Sequence, residues 1–315
     1  MDMYQKRKMR AEKKLQPENE KMLPKNSISW FPGHMARTKR EITENLKLVD
    51  AVVEVLDARI PFSSKNPDVD VIIGSKPKLI LLNKSDLADD NIVRQWASFY
   101  AEHGVPCIPF SVKQKPCVDA FYDAVYKIMQ DKIESWRAKG ILHRDIRLMI
   151  VGIPNVGKSA IINRLASKIS AKVENRPGVT RRNQWFSAKR NVQILDTPGV
   201  LWPKFGDNTV AYNLAFSGAI KDQILDIEDV AVKFLETISK LYINNLCERF
   251  KFSPEDVNNL SSFELLEYIG RKRGMMMSGG QVDTLRTSNM ILDEFRSGKL
   301  GKLTLECPES TNNEV

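Results

Sequence analysis

Two loops in this chain carry residue types suited to holding a nucleotide. Gly152–Ser159 reads GIPNVGKS, which satisfies G-x-x-x-x-G-K-[ST] between an apolar run, IRLMIVG, and a helical one, SAIINRLA. In that setting Gly152 and Gly157 let the backbone curl, so that the N–H groups of Asn155, Val156, Gly157 and Ala160 face phosphate oxygens. Lys158 is placed to bridge the β- and γ-phosphates and the Ser159 hydroxyl to ligate Mg2+. The start of the helix adds favourable positive charge. Farther on, LDTPG (Leu195–Gly199) closes another apolar run. Asp196 suits Mg2+ held through water, and the Gly199 N–H suits the γ-phosphate. Between them lies RPGVTRR, whose Thr180 is expected to close over Mg2+ when the γ-phosphate is present.

The second loop is NKSD, Asn83–Asp86, at the end of KLILLNKSD. Guanine presents N1–H and an exocyclic amino group, and the Asp86 carboxylate can accept from both. Adenine lacks that pair of donors and would leave a desolvated carboxylate unpaired, which rejects a ligand by roughly 10⁴ in comparable polar sites. Asn83 is expected to tie this loop to the phosphate loop, and the stem of Lys84 to pack on the base. SVK, from Ser111 through Val112 to Lys113, ends the next apolar run and offers a backbone N–H to guanine O6. Alone, NKSD is a common surface turn. Beside the phosphate loop it argues against an ATPase or kinase.

The elements that must position these loops alternate. AVVEVLDAR, KLILLNKSD, VPCIPFSVK, IRLMIVG and NVQILDTPG read as strands, with helical segments between them that include 118–139. Such alternation implies a doubly wound, mostly parallel α/β sheet. The base-reading loop precedes the phosphate loop, the reverse of the usual order. A circular permutation explains it, because a doubly wound sheet has neighbouring termini and can be cut in one loop and rejoined elsewhere. Beyond residue 210 the strand signal fades, and a smaller all-helical C-terminal domain is expected. There Ser253 with Pro254 reads as a helix start, and Ser261 with Glu264 as a capping box. The expected boundaries are a basic tail at 1–27, a nucleotide domain at 28–208, a helical domain at 209–305 and a C-terminal tail at 306–315.

Among 315 residues the net charge is +9, which favours an anionic partner, nucleic acid above all. Residues 1–25 hold eight Lys/Arg against four Asp/Glu and no apolar core, unlike a signal or transit peptide. No apolar run is long enough to span a bilayer. Four scattered cysteines without a C-x-x-C pair fit a reducing compartment, the cytoplasm, rather than a zinc site or disulfide framework.

With WFPGHM, DARIP, NKSD, GIPNVGKS, RPGVT, DTPGVLWPKF and GAIKD in this order over residues 28–305, the sequence closely resembles the circularly permuted GTPases of the ribosome-biogenesis GTPase A family. The resemblance implies GTP hydrolysis to GDP and phosphate, Mg2+, the large ribosomal subunit and its rRNA as partners, and a role in late subunit assembly. It further implies a helical domain that contacts RNA, which suits GRKRG and Arg286, Arg296, Lys299 and Lys302. A solvated helix face explains those charges equally well. Many GTPases place Gln after D-x-x-G to orient water, but here the position is Val200, which cannot hydrogen-bond through its side chain. The resemblance assigns that task to His34, and it assigns K+ coordination beside the phosphates to Asn155, as in potassium-activated GTPases. The competing expectation is a nucleotide-gated RNA-binding or signalling module in which hydrolysis is incidental.

Overall fold

The structure is a computed structural model that describes residues 33–166, 184–197, 199 and 208–308, with side chains from Arg40 onward. The expected basic tail, Thr180 and Val200 lie outside the described residues. The chain divides between two compact units. One runs to Phe205 and resumes at Lys302, and the other spans Gly206–Gly301.

The first unit is built on one six-stranded sheet. Its elements are α1 (Gly33–Leu46), β1 (Ala51–Asp57), α2 (Pro67–Ile73), β2 (Lys78–Asn83), α3 (Asp90–Glu102), β3 (Cys107–Pro109), α4 (Pro116–Ile128), α5 (Gln130–Ala138), β4 (Ile146–Gly152), α6 (Lys158–Leu165), β5 (Gln184–Ala188) and β6 (Val192–Asp196). The strand order is β3-β2-β1-β4-β6-β5. All pairs are parallel except β5 with β6. Every residue of β1 is buried, as expected of a central strand covered on both faces. The chain winds outward from β1 through β2 to β3 on one side, and on the other side of β4 it passes to the edge strand β5 and returns through β6. The crevice at the carboxyl ends of β1 and β4 is therefore the topological switch point, where ligands bind in open α/β sheets. Started at β4, carried from β6 to β1 through joined termini and cut between β3 and β4, this sheet is an ordinary phosphate-loop sheet. The circular permutation is thus a matter of connectivity alone.

Three expectations need correction. The helix over 118–139 is two helices, α4 and α5, separated by the buried Met129 at φ −101°, ψ 3°. β5 was absent from the strand reading. It enters β6 through a turn in which Arg190 and Asn191 both stand at φ 53°, so no glycine advertises the hairpin. The helical unit ends at Gly301, short of the expected 305, because Lys302–Pro308 packs on the sheet unit.

The second unit comprises α7 (Asn208–Phe216), α8 (Ile227–Phe250), α9 (Pro254–Val257), α10 (Ser262–Lys272) and α11 (Thr284–Ser297). Phe234 of α8 packs against Phe216 and Phe295, with ring centroids 5.3 and 4.9 Å away. Ser253 and Ser261 both head capping boxes. Arg296, expected among the RNA-facing charges, instead grips Asp222 through two nitrogens at 2.7 and 2.8 Å and donates to the carbonyls of Ala215 and Phe216. Those bonds commit its guanidinium to holding α11 against the end of α7.

Candidate nucleotide site

The NKSD and GIPNVGKS loops meet at the carboxyl ends of β2 and β4. Asn83 is buried, and its Nδ2 donates to the Val156 carbonyl at 2.7 Å. The Lys84 ammonium donates to the Asn155 carbonyl at 2.9 Å. A Cβ at Gly157, where φ is 102°, would collide with the Asn83 amide. This close approach, rather than loop flexibility in general, requires glycine there. The Asn83 Oδ1 is buried with no partner among the described residues, the kind of orphaned polar atom that a ligand site presents.

Asp86 sits on the short 3₁₀ turn Ser85–Leu87, positioned by Lys84 in the left-handed conformation at φ 61°. Its carboxylate accepts from the buried Ser111 hydroxyl at 2.8 Å and pairs with Lys113 at 2.8 Å. Partial burial opposes ionisation, but the Lys113 and Ser111 hydrogen bonds outweigh it and hold the carboxyl below its ordinary range. Asp86 is therefore an anionic acceptor at neutral pH. Val112, between its two partners, is half-buried.

Lys158 is almost fully buried, and its ammonium donates to the carbonyls of Gly152 and Ile153, each at 2.9 Å. An ammonium has three donors, so one remains for a phosphate oxygen. Burial pulls its pKa down from 10.5 to about 8, against the opposing pull of Asp196. Ser159 and Ala160 begin α6 exposed on the same side of the loop, and Asn155 is likewise exposed, at φ 56°. Gly199 lies directly against this loop. A Cβ there would stand 2.8 Å from the Pro154 nitrogen and 2.9 Å from the Lys158 ammonium. His34 falls in the first turn of α1.

Sequence reasoning assigned no role to Asp57 and Arg59, although DARIP was in view. Both are buried, and they are joined by Arg59 Nε to Oδ1 at 2.9 Å and Nη2 to Oδ2 at 2.8 Å. Burial alone would raise the Asp57 carboxyl, yet Arg59 and Lys84 together hold it far below the usual carboxylate range. Lys84 bonds Asp57 at 2.9 Å while reaching the phosphate loop, so the end of β1, the base loop and the phosphate loop form one network. The readable signal was an acid and a base closing a strand that is otherwise wholly apolar on one side of Glu54.

A second unforeseen part is the returning segment 302–308. Leu303 N–H donates to the Leu87 carbonyl at 3.0 Å, Leu305 N–H to the Arg59 carbonyl at 2.8 Å, and Asp89 N–H to the Thr304 hydroxyl at 3.1 Å. The Glu306 carboxylate accepts from the backbone of Phe62 and Ser63, and its carbonyl accepts from Trp96 Nε1 at 2.9 Å. The base-reading loop is thus braced from behind by the far end of the chain.

The burial of Lys158 sets a pH dependence. A phosphate-bound ammonium stays protonated, whereas the free group begins to lose its proton near pH 8. Binding must then take up a proton, and affinity falls as pH rises past that point. GTP affinity is expected to be level from pH 7 to 7.5 and about tenfold weaker at pH 9, measured by calorimetry in buffers of different ionisation enthalpy. A level profile through pH 9 would contradict the placement of this lysine.

A permuted phosphate-loop sheet with a phosphate loop and an NKSD loop meeting in one crevice defines a circularly permuted GTPase, an enzyme that hydrolyses GTP. The profile of the family described as 50S ribosome-binding GTPase matches residues 147–253. The protein named ribosome biogenesis GTPase A from Bacillus cereus is 47% identical over 290 residues, covering 91% of this chain and 96% of its own length. Its namesake in Thermotoga maritima is 33% identical, covering 90% and 95%. The solved structure of GNP-bound YlqF from T. maritima superposes with a TM-score of 0.60 at 30% identity, covering 87% of this chain and 99% of that one. The chain belongs to the ribosome biogenesis GTPase A family.

Proposed function

We propose that this protein is a cytoplasmic assembly GTPase that docks on the large ribosomal subunit with GTP bound, promotes a late step of its assembly and departs after hydrolysis. The observation that carries the nucleotide half is the Asn83–Val156 bond, which puts base reader and phosphate cradle in one crevice. The ribosomal half rests on the 47% identity to a protein named for ribosome biogenesis over nearly all of both chains. Among the described residues no helix is long and apolar enough to cross a membrane.

The chain's own groups divide the work. Asp86 orients the base, and the loop N–H groups with Lys158 neutralise the phosphates. The exposed Ser159 hydroxyl and the half-buried Asp196 at the end of β6 are hard oxygen donors that fit Mg2+. Among the described residues no cluster of three acidic, His or Cys side chains forms a complete cage, which suits an ion that keeps waters and phosphate oxygens around it. Mg2+, when bound, supplies charge neutralisation across the β- and γ-phosphates. Asn155 is the residue for K+ beside them, and Thr180 the one that closes over the site. His34 orients the attacking water in place of the glutamine that Val200 replaces, and the subunit stimulates turnover by fixing it.

Sedimentation with large subunits tests this reading. Co-migration is expected with a non-hydrolysable GTP analogue and not with GDP, and equal partitioning in both would sink it. His34→Ala is expected to cut subunit-stimulated turnover by about 10²-fold while leaving GTP affinity unchanged. Undiminished turnover would instead favour a nucleotide-gated RNA-binding module.

A further inference from the structure

At the opposite end of the sheet, where β1 and β4 begin, two cations pair with the buried Asp50 carboxylate and two more basic residues, Lys76 and Arg147, bond residues 49–50. Asp50 accepts from Lys132 at 3.1 Å and from Arg144 Nη2 at 3.2 Å, and the Arg147 backbone N–H reaches it at 3.0 Å. Lys76 donates to the neighbouring Val49 carbonyl at 2.7 Å, where the positive charge of Lys132 repels it. The Arg144 guanidinium lies over the Trp136 ring at 4.4 Å, and that of Arg147 over Trp185 at 5.6 Å. Four basic residues thus stand with two carboxylates, Asp50 and the Asp145 that accepts from Gln193 beside Arg147, which leaves a local excess of two. Two of the cations are guanidinium groups seated over indole rings, and Arg144 remains 43% exposed despite its ion pair. A stacked guanidinium with open N–H edges is the geometry that takes a phosphate by two hydrogen bonds, and little side-chain freedom remains to be lost on binding.

We infer that this amino-terminal edge of the sheet, centred on Arg144 and Arg147, is a docking surface for RNA phosphates. It lies about 20 Å from the phosphate loop, the length of a strand of seven residues. It can therefore hold RNA without entering the GTP site. RNA is the favoured occupant because the whole chain carries +9 and the assembly role proposed above, on which this inference rests, supplies a partner whose surface is largely phosphate.

The full-length Arg144→Gln/Arg147→Gln variant tests the inference against two probes, deproteinised large-subunit rRNA and intact large subunits, over a salt series. Binding to both is expected to weaken about tenfold, and the slope of log K against log salt to fall by roughly 1–2, one phosphate contact per lost cation. GTP affinity and melting temperature should hold. Should the double variant melt early, Arg147→Gln alone, which leaves the side-chain ion pairs of Asp50 in place, carries the test with about a threefold loss. Asp50→Asn removes the buried negative charge paired with Lys132 and Arg144 while keeping an acceptor for the Arg147 N–H, and is expected to tighten RNA binding. Unchanged affinity and slope in the arginine variants overturn the inference. So does weakening on subunits alone, which would indicate a protein partner. The naked-RNA arm reads this surface whether or not subunit binding depends on nucleotide, so its failure is separable from failure of the assembly role.

Discussion

Asp86→Asn is expected to weaken GTP binding by about 10³-fold or more and to create a preference for xanthosine triphosphate. Guanine offers two donors to this position, N1–H and the 2-amino group, and the carboxylate accepts both. An asparagine side chain turns one of those acceptors into a donor, which then faces the amino group with no bond to make. Xanthine carries an oxygen where guanine has the amino group, so the same amide pairs with it. The fold should survive the change. Asp86 lies on a turn, its Lys113 partner is 70% exposed, and Ser111 still finds an oxygen to donate to. Competition between the two triphosphates for one labelled probe gives the answer. A variant that keeps GTP affinity within tenfold of the parent would remove Asp86 from the base-reading role.

Lys158→Met should abolish triphosphate binding and, in the same molecule, raise the melting temperature. The native ammonium is nearly sealed from water, and its fall from 10.5 to about 8 corresponds to roughly 3 kcal/mol of disfavoured charge. The sign follows from linkage. A base whose folded pKa is depressed destabilises the fold fully below about pH 8, and that penalty fades as pH rises from there toward 10.5. Methionine fills a similar volume without charge but leaves the Gly152 and Ile153 carbonyls without their donor, a loss of about 1 kcal/mol each. A net gain of about 1 kcal/mol, or roughly 2–4 °C, is expected at pH 7, shrinking above pH 8. Calorimetric melting of both proteins at pH 7 and 9 checks it. A variant that melts lower at pH 7 would show that the ammonium holds the loop together more than it burdens it. The pairing of lost function with gained stability is what a site built for a charged ligand should show.

How much of this was readable beforehand depends on the range of the interactions. The phosphate loop, the base reader and the permuted order were legible because each is a local pattern: glycine where backbones must touch, a carboxylate after a strand, alternating apolar runs. The Ser253 and Ser261 helix starts were legible for the same reason, since a cap and its partner lie within one turn. β5 was not, because its hairpin turn uses Arg190 and Asn191 at positive φ where glycine would have signalled it. The burial of Arg59 against Asp57 was hidden as well, since an arginine in a sequence reads as surface until its partner and cover are known. Nor could Arg296 be withdrawn from the RNA-facing charges before Asp222, far upstream, was seen beside it. The roles proposed for His34 and Asn155 rest on resemblance rather than on any pattern in the residues themselves.

The segment 302–308 changes what kind of appendage the helical unit is. Because the chain comes back to Leu87 and Arg59, that unit is spliced into the GTPase rather than hung from its end. In sequence it begins seven residues after Gly199, which rests on the phosphate loop, and the segment that follows it bonds the Leu87 carbonyl, next to Asp86. Cutting the chain after Gly301 should weaken GTP binding, read by calorimetry, while leaving in place every residue proposed to touch the nucleotide.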